Sequence, residues 1–355
     1  MKSLNDGYKR LEKEVLVRYE TAEEVRAVAG RLWETVRLGR SVGRALQLGR
    51  QLELQLAEVG GTGNVVKSQT AQKEDHRALA RCANTLLSLR ELFSKSSPGE
   101  EGAGLEKVDI IRTLQTHVVA PAERSVTQKS QQIVREFSMS SLSSGSNTTT
   151  YAQTADTKAR TTSALLTLYL LSAVPVLNSK KEKWEPELLV GALQEYLRTA
   201  LTSSLASLAR SLATLPNLDR TLLEISARCQ NILALESLIQ SITPPPHPLL
   251  STTIPPPNNF LDPLLQSLET GSLASYFWRT LAGGLSTKVM EIVNRGGVSA
   301  RTLKSNRKSV GDAVRECVVR GCQPPQGSGK VGKGEANWER EAAVMVGSVV
   351  GALGR

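Results

Sequence analysis

Apolar residues at the start of the chain recur at alternating steps of three and four: Leu4, Tyr8, Leu11, Val15, Ala22, Val25, Ala29, Leu32 and Val36, with only Arg18 interrupting the series. That spacing is a heptad seam, which keeps one stripe of a long helix turned towards a partner helix. A second frame follows at Leu38, Val42, Ala45, Leu52, Leu56 and Val59. A helix over the whole stretch would be roughly 84 Å long at 1.5 Å per residue. Gly39, Gly43 and Gly49 each weaken it by about 1 kcal/mol relative to alanine. A kink or break near Gly39–Gly43, where the frame slips, is therefore expected, and Gly60, Gly61 and Gly63 end the helix.

The 3.6-residue period continues downstream. A second helix is predicted from about Gln72 to Phe93, with Leu79, Cys82, Ala83, Leu86, Leu89 and Phe93 on its apolar face. A third runs from Glu106 to about Ser138 with a bend at Pro121, and a fourth from Gln153 to Ala173. The fifth starts at Pro186, a residue suited to a first helical position, and Pro216 closes it. The sixth runs from Asp219 to Ile242, its acidic start placed at the positive end of the helix dipole. Beyond it, 260–293 and 298–320 have helical spacing, and 336–353 forms a short terminal helix. No segment alternates as a strand does. The fold class expected is all-α: a long coiled-coil-like N-terminal helix followed by an elongated antiparallel helical bundle.

Two segments punctuate this pattern. Residues 138–150 are polar, rich in serine and threonine and low in complexity, which predicts a flexible loop. Thr243 to Asn259 holds two runs of three prolines, which cannot continue a helix and favour an extended linker. The organisation predicted is a partner-binding helix at 1–60, a bundle at 71–242, a linker at 243–259 and a basic helical region at 260–355.

Composition narrows the class. Apolar residues are 40% of the chain and aromatics only 4%, so the core is aliphatic, as in packed helices. The net charge is +10, and the excess is uneven. Between Arg279 and Lys333 eleven Lys and Arg face three acids, Glu291, Asp312 and Glu316. Such a region suits an anionic membrane surface, an acidic partner or nucleic acid. Arg37, Arg40 and Arg44 form a second basic stripe on one helical face, and Arg301, Lys304, Arg307 and Lys308 are the C-terminal candidates for an anionic surface. No aromatic interleaving accompanies the arginine stripe, so nucleic acid is not the partner expected.

Catalytic chemistry is hard to find. Gly327 to Lys333 fits the first seven positions of a phosphate-cradling loop, but Gly334 stands where Ser or Thr must hold magnesium, and Pro324 and Pro325 replace the preceding strand. The segment is expected to be a flexible basic linker. His76, His117 and His247 lie far apart and are expected at the surface or partly buried; the four tryptophans are expected to be packing anchors. Cys82, Cys229, Cys317 and Cys322 form no disulfide or zinc pattern and are expected reduced, within helices, as in an intracellular protein. The N-terminus is too charged for a signal peptide. The longest apolar run, Ala164 to Leu177, falls short of the roughly 20 residues a spanning helix needs. Catalytic, cofactor and metal sites are all expected to be absent. The residues chosen for partner binding are Leu4, Tyr8, Leu11, Val15, Val25, Leu32 and Val36.

Several stretches together resemble a known family. LNDGYKRLEKEV, AGRLWETVRLGR, IVREFSMSSL, TYAQTADTKARTTSALLTLYLLS and LRTALTSSLASLARSLATLPNLDRTLLEISARCQNI look like the fungal form of subunit five of the conserved oligomeric Golgi complex. The similarity runs from about Leu4 to about Leu250 and lies in the extent of helical sequence, with no catalytic motif. The resemblance implies a helical-rod vesicle tether, peripheral on the cytosolic face of the Golgi with a cytosolic pool. It implies a role in retrograde transport within the Golgi and a lobe shared with subunits six, seven and eight, seven being the close partner. SNAREs, Rab GTPases and golgins are contacts implied for the assembly. Family members usually carry a segment ahead of the first heptad region, and animal members are much longer; functions of those parts are not carried over, and the chain is expected to be an incomplete gene product. Two other readings fit the residues: a stand-alone coiled-coil scaffold, and a basic helical nucleic-acid-binding protein.

Overall fold

The computed structural model of the chain describes residues 2–59, 76–139, 151–174, 184–250, 257–323 and 338–353. Among the described residues every regular element is helical and no strand occurs. The α-helices are α1 (Lys2–Glu58), α2 (His76–Ser94), α3 (Asp109–Leu114), α4 (Ala120–Arg135), α5 (Tyr151–Leu171), α6 (Glu187–Ala213), α7 (Leu218–Ser241), α8 (Leu261–Ser267), α9 (Leu273–Arg295), α10 (Gly297–Ser305), α11 (Arg307–Gly321) and α12 (Glu339–Leu353). The serine-rich loop from residue 140, the glycine-lysine segment 327–334 and Pro255 and Pro256 lie outside the described residues. Two compact units divide the chain: Met1–Val65 with Asn84–Arg124, and Val66–Ala83 with Ser125–Arg355.

In the first unit α1 is one continuous helix through Gly39 and Gly43, where the sequence predicts a kink. The reason is packing. Ala45, Leu52, Leu56 and Val59 of the second frame are buried. Each buried leucine contributes roughly 1.5–3 kcal/mol, against about 1 kcal/mol lost per glycine. Polar contacts add to this. The Ser41 hydroxyl donates to the Glu101 carbonyl at 2.5 Å, and Arg44 holds both carboxylate oxygens of Glu101 at 2.7 Å. Thr85 donates to Gln55 Oε1 at 2.9 Å in a buried pair. The loop after α2 needs a glycine at 102, since a Cβ there would lie 2.1 Å from the Leu92 carbonyl oxygen. The third predicted helix is broken into a 3₁₀ turn at Leu105–Lys107, α3 and a π turn at Gln115–Val119. The π turn falls just before Pro121, whose ring disfavours a regular bond back to residue 117.

The second unit is built from stacked helical hairpins. A 3₁₀ turn at Leu215–Asn217 joins α6 to α7. Arg228 donates to Ser204 at 3.1 Å, pairing positions about equally far from that turn, so the two helices run antiparallel. The next pair lies on top in matching directions. α9 follows α6, with Gln194 reaching Ser267 just before α9 and Gly284 meeting Leu205 further along. α11 follows α7, with Cys317 on the Leu222 carbonyl and Gln230 on the Arg320 carbonyl. α12 packs against both α9 and α11. The predicted antiparallel arrangement therefore holds within a hairpin, and successive hairpins stack in register.

Several boundaries differ from those the periodicity predicts. Residues 260–293 form two helices, α8 and α9, separated by a turn at 268–272 in which Glu269 takes a left-handed φ of 49°. α9 ends at Gly296, which has φ 69° and lies in the gap predicted between 293 and 298. Only glycine adopts such a conformation at little cost. The basic segment 298–320 is likewise two helices, α10 and α11, meeting at Asn306. Pro186 caps α6 from outside its first turn.

The proline-rich segment does not separate two packing units. His247 is buried, contrary to the exposed or partly buried position expected, and its Nε2 lies 3.0 Å from the Leu170 carbonyl. Its ring sits 5.9 Å from Tyr169 and 5.1 Å from Trp184. Tyr169 also meets Phe260 at 5.1 Å and donates its hydroxyl to the Pro245 carbonyl at 3.2 Å. Both ends of the segment are thus fixed to α5. The helices on its two sides then share one core, in which Trp278, Phe277, Leu285 and Ile232 are fully buried.

Candidate functional site

The feature that stands out from the packed units is the first half of α1. Every described side chain from residue 7 to residue 36 is exposed. Leu11 is 64% exposed, Val25 68% and Leu32 62%, and Tyr8, Val15 and Val36 are exposed with them. Leu4 lies in α1, but its side chain is outside the described residues. The stripe spans roughly 42 Å of helix at 1.5 Å per residue. Contiguous apolar surface on this scale marks an interaction site in a soluble protein.

The slip between the two frames has a structural meaning. From Val36 to Leu38 the pattern advances by two residues, about 200° around the helix axis. Before the slip the apolar stripe is open, and after it the stripe is buried at Ala45, Leu52, Leu56 and Val59. One helix thus carries two apolar frames, and among the described residues only the second is buried by this chain.

Steps of three and four account for only part of the open surface. Leu16, Val17, Tyr19, Val28 and Trp33 are also exposed. Tyr19, Val28 and Trp33 flank the heptad positions and widen the stripe beyond a two-helix seam, so the face suits a groove between helices. Trp33 is 60% exposed, where the sequence predicts a packing anchor.

The two basic sets fare differently. Arg37 stacks over the Trp33 ring at 5.3 Å, Arg44 is held by Glu101, and Arg40 stands exposed. The N-terminal arginine stripe is therefore partly engaged within its own unit. Arg301, Lys304, Arg307 and Lys308 are all exposed on α10 and the start of α11.

Titratable groups in the interior are structural. Burial raises the Glu236 carboxyl, although the Leu273 N–H and the Ser272 hydroxyl donate to it at 3.3 and 3.4 Å. All four cysteines are buried free thiols. Burial pushes Cys317 up to about 12 and also raises Cys229, while a hydrogen bond from Cys229 lowers Cys322. Among the described residues no group of three or more His, Cys, Asp or Glu could hold a metal ion. A groove of about 600 Å³ between α6 and α9 is walled by Leu197, Leu201, Leu205 and Leu281, with Arg198 and Tyr276 as its ionisable groups. That lining offers apolar contact and no acid–base pair.

Stacked helical hairpins and a long helix with an open apolar stripe are the build of a helical tether subunit. Residues 1–52 match the N-terminal part, and residues 105–318 the C-terminal part, of conserved oligomeric Golgi complex subunit 5. The chain belongs to that family, and so is a subunit of a Golgi tethering complex. The fold is also that of a chain in the crystal structure of the Cog5–Cog7 complex from Kluyveromyces lactis. The TM-score is 0.67 at 16% identity, over 95% of this chain and 98% of that one. No curated protein matches the sequence.

Proposed function

We propose that the chain is a non-catalytic assembly subunit of the Golgi tether, acting in retrograde transport within the Golgi. It joins the other subunits through the apolar seam of α1, which runs from Leu4 to Val36 in the sequence and is open from Tyr8 onwards. Subunit seven is the foremost partner, with six and eight in the same lobe. The observation that carries this reading is a 57-residue helix whose second frame is buried while its first is open. An apolar surface of that length is costly to leave in water and fits a constitutive partner. The related chain from Kluyveromyces lactis was solved with Cog7, which favours the same pairing here.

Contacts with SNAREs, Rab GTPases and golgins are made through the whole assembly. No helix among the described residues is long and apolar enough to cross a membrane. The placement proposed is peripheral, on the cytosolic face of the Golgi, with a cytosolic pool.

Affinity purification of the tagged chain from its own cells, followed by mass spectrometry, tests the reading. Recovery of several tether subunits in comparable amounts is expected. Recovery of the chain alone as a homodimer would favour a self-associating scaffold instead, and recovery with nucleic acid would favour the basic surface as the main interface.

A further inference from the structure

From Ile292 to Gly311 the sequence carries five cations, Arg295, Arg301, Lys304, Arg307 and Lys308, and no acid. All five are exposed. None makes an ion pair among the described residues, whereas the cations around them do. Lys288 pairs with Glu291 at 3.0 Å, Arg279 with Glu341 at 3.4 Å, Arg315 with Glu339 at 3.7 Å, and Arg320 with Glu316. Among the described residues no ion pair therefore compensates the charge of this surface.

The backbone presents these cations on a fixed edge. Gly296 and Gly297, both with left-handed φ, end α9 and turn the chain into α10. Ala300 and Leu303 are buried and anchor α10 against the unit, where it meets α6 and α9. The opposite face then points outwards. At about 100° per residue, Val298, Arg301 and Lys304 follow one another around that face at intervals of roughly 60°. Val298 is 79% exposed, more than any other large apolar side chain described. It stands at the entry to α10, with Arg295 before it and Arg301 after it.

We propose that this edge, Arg295 to Lys308, docks on an anionic lipid surface, with its cations at the headgroups and Val298 entering the boundary beneath them. Five unpaired cations outweigh the two acids at the margins of the edge, Glu291, which pairs with Lys288, and the exposed Asp312. The edge is therefore drawn to a negatively charged leaflet, and the attraction grows with each cation. An exposed aliphatic side chain among them adds contact that a purely acidic protein partner would not reward. The edge is separate from the α1 stripe, so this contact needs no other subunit.

The test is flotation of the purified full chain with phosphatidylcholine vesicles containing about a quarter phosphatidylserine, at low and at physiological salt. The wild-type chain is expected to float with these vesicles, to stay behind with pure phosphatidylcholine, and to lose binding as salt rises. The variant R301Q/K304Q/R307Q/K308Q is expected to bind on the order of a thousandfold less at low salt. Val298→Asn, which keeps every charge, is expected to bind severalfold less. Circular dichroism should show unchanged helix content in both variants, since all five substituted side chains are exposed. Equal flotation of the quadruple variant and the wild type would overturn the proposal. So would a wild-type chain that ignores the vesicles yet binds polyglutamate through the same four cations, an outcome that assigns the edge to an acidic protein.

Discussion

Asn231 on α7 accepts the backbone N–H of Met139 at 2.8 Å, joining positions 92 residues apart. Both residues are buried. The bond fixes the chain just after α4 against the α6–α7 hairpin, beside the Tyr196 hydroxyl that donates to the Phe137 carbonyl at 3.3 Å. Removing the acceptor leaves a buried N–H without its partner, which costs roughly 1–3 kcal/mol. Asn231→Ala is expected to lower stability by about that amount in urea unfolding, with circular dichroism as the readout. An unchanged midpoint would mean that water replaces the amide there.

Glu236 gives the fold a pH dependence of predictable sign. Burial raises its folded pKa above the ordinary 4.5. A carboxyl raised on folding contributes stability below its unfolded pKa and loses it as pH rises through the folded value. Glu236→Gln has no charge to bury and keeps an oxygen for Leu273 and Ser272. The difference in Tm between this variant and the wild type is therefore expected to move in the variant's favour as pH rises from about 4.5 towards neutrality. A difference that stays constant across that range would contradict the assignment.

The four cysteines are expected to be silent in the native state. All four are buried away from reagent. Burial also keeps the Cys317 thiol near 12 and raises Cys229, while Cys322, lowered by its hydrogen bond with Cys229, is shielded by burial alone. The thiolate is the reactive form, so an aromatic disulfide reagent at pH 8 should label close to none of them in the folded chain. All four should react once denaturant is added. Rapid labelling of the folded chain would show that the α7–α11 packing opens readily.

Much of this architecture is legible in the sequence, and the exceptions share a cause. The α6 repeat predicts a helix closed by Pro216, shortly after the observed end at Ala213, and the α7 repeat one ending at Ile242, next to Ser241, because leucines and isoleucines at steps of three and four are the residues that become buried. The all-α class follows from the same periodicity, and the family from the extended stretches of similar helical sequence between Leu4 and Leu250. The continuity of α1 through Gly39 and Gly43 does not, because packing from residues 84–124 outweighs local propensity. The proline-rich segment looks like a boundary because nothing near it indicates that His247 inserts between Tyr169 and Trp184. The break at Gly296 falls in the gap between the predicted segments 260–293 and 298–320, whereas those at 268–272 and Asn306 follow from backbone conformation, which periodicity does not encode. At the candidate site the seam positions are legible, and Tyr19, Val28 and Trp33 beside them are not, because they fall outside the strict heptad positions.

The central claim is that the open stripe of α1 holds the chain in its complex. Leu11→Glu, Val25→Glu and Leu32→Glu place charge on exposed positions, where substitutions change stability by no more than about 0.5 kcal/mol each. The direct measurement is quantitative co-purification of the other Golgi-tether subunits with the triple variant and with the wild type, alongside thermal unfolding of each. Loss of the partners with unchanged unfolding is the result predicted. Undiminished recovery of subunit seven with the triple variant would contradict the claim and move the assembly interface elsewhere on the chain.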